Sequence, residues 1–275
     1  ALSADQIAAI KPKSIPGMTR DQIGALGKAQ VEAMTSAQVA SLSAAQVAAF
    51  DGEKLTALSA SGMSTLTTNA LAGLSADQVG LLSQEQLGAL TNAQVAALKP
   101  AQMAALTPTQ MEAFSASQIG MLSASQLGAL STESVAALSS SQVSALSTKA
   151  VPGFTAAQTA ILSAEQLGAL SASQLGALTA TQTAAFTPAS MSVFSPQSIA
   201  AMSPAAIAGL SPEATASLSF EQVSALTAGQ VGALKPTQIA VLTPARIGAL
   251  SATQIGALSA TQAAALSPSS IAALS

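Results

Sequence analysis

For acid–base, nucleophilic or metal chemistry this chain offers twelve Asp and Glu, nine Lys and Arg, and a large supply of Ser, Thr and Gln; it has no His, Cys, Trp or Tyr. The absence of His removes the commonest metal ligand and the side chain best suited to proton transfer near neutrality. The absence of Cys removes thiol nucleophiles and disulfides. A Ser or Thr nucleophile needs a base within hydrogen-bond reach, and here only scattered carboxylates and a few Lys could serve. Nine of the twelve carboxylates, Asp5, Asp21, Asp77, Glu85 and Glu165 among them, occupy one recurring place in a repeat, just after a predicted helix start. An acidic side chain there is favoured by the partial positive charge of the helix N-terminus. No two stand at a spacing that suggests a glycosidase pair or a calcium loop. They read as solvated helix-start carboxylates. No catalytic, cofactor-binding or metal-ligating residue is assigned, and no cofactor is expected.

The repeat is the chain's organising feature. Residues 3–274 divide into thirty-four octads without an insertion or deletion, ending SATQIGAL SATQAAAL SPSSIAAL. Position one is Ser or Thr in twenty-nine octads and position four is Gln in twenty-two. Ser or Thr followed three residues later by Gln is a capping box: the hydroxyl accepts from the third helical N–H, and the Gln side chain reaches back to the cap residue's own N–H. The pairs Ser123 and Gln126, Ser163 and Gln166, and Ser251 and Gln254 are examples. Proline agrees with this frame, since it suits the first helical position and costs about 3 kcal/mol in a helix interior. Ten of the twelve prolines lie at position two, and Lys11, Lys99 and Lys235, poor caps, are each followed by one. Pro16 and Pro152 fall instead at position six, where an early helix end is expected.

Position eight is Leu, Ile, Met or Phe in every octad, and position five is Ile, Val, Leu or Met in thirty. These positions are three apart and share one helix face, so they form the predicted core. Leu130, Leu170, Leu178, Leu250 and Phe186 represent position eight; Ile239 and Ile255 represent position five. The exceptions at position five are Thr159, Thr183, Thr215 and Ala263. Position seven is Ala in twenty-two octads and position six is commonly Gly or Ala, which suggests a neighbouring helix passing close.

One long helix is excluded, because eight residues overshoot two turns by about 80° and would wind the apolar stripe around the rod. The prolines would also break it. A β-solenoid is excluded by the alanine content and the lack of two-residue alternation. The expected fold is all-α: a solenoid or superhelix of capped helices of about seven residues, one per octad, each held by stacking because none is stable alone. A connection of about one residue is too short for a full hairpin, so successive helices should meet at corners, with three or four octads per turn. Residues 1–275 are read as a single array without a globular domain. No atypical unit closes either end and no leader is visible, so it is read as a segment of a longer array.

Charged residues make up 8% of the chain and the net charge is −3. Neither nucleic acid nor an anionic membrane surface is an expected partner. The apolar runs, of which 204–210 is about the longest, fall far short of the roughly 20 residues that span a bilayer, so membrane insertion is not expected.

The octads SPQSIAAM, TPTQMEAF and KPTQIAVLTPARIGAL resemble the (L)-[ST]-x-x-Q-[IV]-x-A-L tandem repeats of large proteobacterial surface or secreted proteins, often described as adhesins or haem-utilisation proteins. The resemblance runs along the whole chain. It implies placement outside the cell or on a bacterial cell surface, with surface or matrix contacts. No haem ligand is recognisable, since His is absent and the eight Met lie mostly at core positions. The stretch LTP-x-Q-I also resembles the first helix of a TAL-effector repeat, whose period is much longer and whose basic face is missing here. The expected role is a non-enzymatic fibre, filament, stalk or spacer that self-associates end to end or laterally. The alternative is a binding array, an adhesin recognising a glycan, a peptide or ice.

Overall fold

The computed structural model describes residues 2–274; Ala1 and Ser275, which the octad frame assigns to neighbouring octads, lie outside the described residues. The chain is all-helical, with no strand among the described residues. Among the described residues thirty-two α-helices and two 3-10 helices follow one another, one to each octad.

The α-helices are four to six residues long, shorter than the expected seven. The reason lies at their C-terminal ends. The N–H of position eight donates to the carbonyl of position five, as Leu130 does to Leu127 and Leu178 to Leu175, both at 3.2 Å. That tighter closure ends the helix, and the chain goes extended. Leu130 has φ −62° and ψ 146°, and Ser131, the cap that follows it, has φ −66° and ψ 158°. Two residues in this conformation make the corner. Among the described residues none has positive φ, glycines included, so the left-handed helix end so common elsewhere is not used.

The octads with Pro at position six are the two that form 3-10 helices, Pro12–Gly17 and Val151–Gly153. A proline there has no N–H to bond the carbonyl four residues back, so the turn tightens to a three-residue pattern instead of ending an α-helix early.

Two compact units are distinguishable, one running to Leu146 and the other starting at Ser147. In the first, each helix packs on the one three octads away: Ala124–Ala129 on Pro100–Ala104, and Ser140–Ala145 on Ala116–Ile119. In the second, Ala228–Ala233 packs on Pro204–Gly209, which packs on Ala180–Thr183. Positions five and eight fill the interior of each unit. Leu130, Leu170, Leu178, Leu250, Phe186 and Ile239 are buried. Ile255 is a correction: it is only half-buried, and the octad three further on, which in this packing would lie over it, falls outside the described residues. Thr159, Thr183 and Thr215 are buried at the same register as the aliphatic residues.

The small residues at positions six and seven mark the approach of neighbouring octads. A Cβ added at Gly88 or Gly176 would meet the carbonyl of Ala113 or Ala201 at 3.1 Å, three octads on. At Gly209 it would meet the Ala180 carbonyl and the Thr183 hydroxyl at 2.4 Å.

Candidate functional site

The functional feature of this chain is a contact repeated along it, and position four supplies it. Within each octad the capping box forms as the residue types dictate. Gln126 Oε1 accepts from the Ser123 N–H at 2.8 Å, and its own N–H donates to Ser123 Oγ at 3.3 Å. Gln166 with Ser163 and Gln254 with Ser251 make the same reciprocal pair. Where Lys replaces Ser or Thr the hydroxyl bond is lost, but Gln102 and Gln238 still accept from the N–H of Lys99 and Lys235 at 2.7 Å.

The other end of the Gln side chain does something that the capping pattern does not require. Gln126 Nε2 donates to the carbonyls of Val95 and Leu98 at 2.9 and 2.8 Å, positions five and eight of the octad four earlier. Gln94 reaches Met63 and Leu66 in the same way, Gln142 reaches Met111 and Phe114, and Gln230 reaches Ile199 and Met202. Gln254 donates to Ser224 at 3.1 Å and to Leu226. These acceptors are helix C-terminal carbonyls, which have no partner within their own helix or only the position-eight N–H. A single amide therefore caps the start of its own helix and the end of another one turn away. Gln126 is 2% exposed, so these bonds form out of water, where an unmade bond is costly. Helices pack at a separation of three octads and the amide rungs join octads four apart, so one turn takes between three and four octads.

The chemistry of position four follows. A carboxylate would satisfy the capping box as well as an amide does, yet neither Asp nor Glu occupies position four anywhere in the chain. Facing two carbonyl oxygens in a buried site, a carboxylate would be repelled where an amide NH2 donates. Sequence reasoning assigned Gln126, Gln166 and Gln254 the local cap and missed the rung; the missing Glu was the signal for it.

Ionisable groups are peripheral. The carboxyls of Glu85, Glu133, Glu165 and Glu221 are held below the usual glutamate value, first by their own helix-start backbone N–H and then by neighbouring hydroxyls such as those of Ser83, Thr132, Ser163 and Ser219. Asp51 is lowered by its hydrogen bonds to Lys54, first from the ammonium and then from the backbone N–H. Among the described residues the ion pairs are Lys54 with Asp51 and Lys28 with Glu32, the latter at 3.8 Å. No group of three potential metal-binding side chains occurs among the described residues. No helix there is long and apolar enough to cross a membrane.

Residues 95–132 match the model of a repeat family, the ALTTAQ repeat. That stretch opens at Val95 and contains Gln126, so it spans one acceptor carbonyl and the rung that closes on it. No curated protein matches the chain.

Proposed function

We propose that the protein is a non-enzymatic structural array: an extracellular fibre, stalk or spacer of a bacterial surface or matrix, whose length is set by the number of octads. The observation that carries this reading is the rung. Each amide ties one turn to the next through backbone carbonyls, so the contact is independent of the outward side chains and can be repeated without limit. The outward positions hold mainly Ser, Thr, Ala and Gly, a neutral surface suited to standing in water and to lateral contact with copies of itself. Few charges oppose such association. Placement on a cell surface and an adhesin context rest on the resemblance of the octads to repeats of proteobacterial surface proteins.

Sedimentation and negative-stain microscopy of the purified chain test the assembly, and antibody imaging on the native cell tests the location. Rods or fibres that grow with concentration are the expected result. A compact monomer at high concentration, with antibody signal confined to the cytoplasm, would overturn the fibre reading; a compact monomer on the cell surface would favour the binding array.

A further inference from the structure

The rungs are not continuous. In the second unit, Gln182 ties its octad to the carbonyls of Val151 and Phe154. Gln222, Gln230 and Gln238 tie theirs to Met191 and Phe194, Ile199 and Met202, and Ile207 and Leu210. Between these, position four is Ser190, Ser198, Ala206 and Ala214 in four successive octads. Ser190 Oγ reaches no further than Thr187, and Ser198 Oγ no further than Ser195. The four rungs that would join 187–218 to 155–186 are therefore absent. Among the described residues no side chain donates to the carbonyls of Leu162, Leu170, Leu178 or Phe186.

Four octads are at least one full turn. This boundary is free of amide rungs over a full turn, with 187–218 amide-bonded to the turn after it and not to the turn before, while Pro204–Gly209 still packs closely on Ala180–Thr183 across it. A cavity of about 160 Å³, lined by Leu162, Leu167, Ser190 and Val193 among others, lies where a position-four Gln of 187–194 would reach. Among the described residues one side-chain hydrogen bond crosses the seam, from the Thr183 hydroxyl to the Ala206 carbonyl at 2.6 Å. The first unit has a shorter interruption, at Lys54, Gly62 and Ala70, three octads long and flanked by the rungs of Gln46 and Gln78.

We propose that the rung-free turn between 155–186 and 187–218 is a built-in parting seam, at which the second unit opens before any other turn separates. The four prolines at position two of this stretch, Pro188, Pro196, Pro204 and Pro212, fit that role. They hold each short helix in shape without contributing a bond to the neighbouring turn, so the helices persist while the turns part. In an array under tension such a seam lets length yield at one place while the remaining turns stay closed. The seam itself does not depend on that use.

Native-state hydrogen exchange on the whole chain tests it. The N–H groups of Leu162, Leu170, Leu178 and Phe186 sit at position eight below the seam; those of Phe194, Met202 and Leu210 sit at the same position one turn on, where carbonyls receive rungs. The first set should exchange about tenfold faster or more, since local opening sets protection. Installing the rungs with S190Q, S198Q, A206Q and A214Q together should erase the difference. Thr183→Val, which removes the one crossing hydroxyl with little change of shape, should widen it. Equal protection of the two sets in the native chain overturns the seam. So does a folded four-Gln variant that leaves the difference intact, or, if that variant does not fold, a Thr183→Val chain with an unchanged ratio.

Discussion

Replacing Gln94 by Ala tests the rung most directly. Gln94 Oε1 accepts from Thr91 N–H at 2.7 Å, and Nε2 donates to Met63 and Leu66 carbonyls, each at 2.8 Å. The Met63 carbonyl keeps a second donor, the Leu66 N–H at 3.3 Å. Among the described residues the Leu66 carbonyl has Gln94 alone. Three bonds at about 0.5–1.5 kcal/mol each, or one orphaned buried carbonyl at about 1–3 kcal/mol plus the lost cap, bring the cost to about 3 kcal/mol. Thr91→Ala in the same octad removes only the hydroxyl that accepts from Gln94 N–H at 3.2 Å, for about 1 kcal/mol. Hydrogen exchange of the amides in 59–66 and 91–98 reads both. Gln94→Ala should raise those rates about a hundredfold, at 1.4 kcal/mol per factor of ten, and Thr91→Ala should raise them several-fold. Gln94→Glu keeps the acceptor of the capping box but turns a carboxylate toward two carbonyls. Burial against those carbonyls should raise that carboxyl's pKa in the folded chain, so its stability should be present in acid and lost as the pH rises. If Thr91→Ala costs as much as Gln94→Ala, the cross-turn bonds contribute nothing and the argument fails.

Leu170→Ala, which empties a buried position eight, should cost about 2–5 kcal/mol, whereas Glu165→Ala, on the solvent face, should leave the urea midpoint nearly unchanged; similar shifts would mean the faces are misassigned. Gly209→Ala forces a methyl against the Ala180 carbonyl and Thr183 hydroxyl and should lower the melting temperature, at about 1–3 kcal/mol for overpacking. Gly17→Ala, with nothing within 4 Å of the new methyl, is the neutral control, and a Gly209→Ala chain that melts no lower would refute the close approach. The lowered carboxyls of Glu85, Glu133, Glu165 and Glu221 stabilise the folded chain when ionised, so their contribution is full above the ordinary value of 4.5 and is lost as the pH falls through their lower folded values. Because these groups are exposed, circular-dichroism melts should show a modest, salt-sensitive decline in acid, and a rise there would contradict the assignment.

The local elements were legible because their causes are local. Ser123 caps its helix through the third N–H and Pro108 stands at a first helical position, both within four residues. The apolar face was legible for the same reason: positions five and eight are neighbours on any helix, and Leu130, Leu170 and Phe186 lie in the interior. Helix length was less so. The bond from position eight to position five closes both a helix that runs to position seven, as Ala124–Ala129 does, and one that stops at position six, as Ala172–Gly176 does, so the residue pattern alone did not fix the last helical residue.

What the sequence determined by itself is the helix per octad, its start, its inward face and the scarcity of chemistry-bearing side chains, all matters of residue type and short spacing. Only the tertiary structure decided what Gln126 does with its NH2, because the carbonyls of Val95 and Leu98 lie 31 and 28 residues away along the chain and meet it only after coiling. The same holds for Ile255, a core residue by pattern and half-buried in place. Burial and cross-turn bonding depend on how many octads complete a turn, and that number is set by packing between helices distant along the chain, not by any one octad.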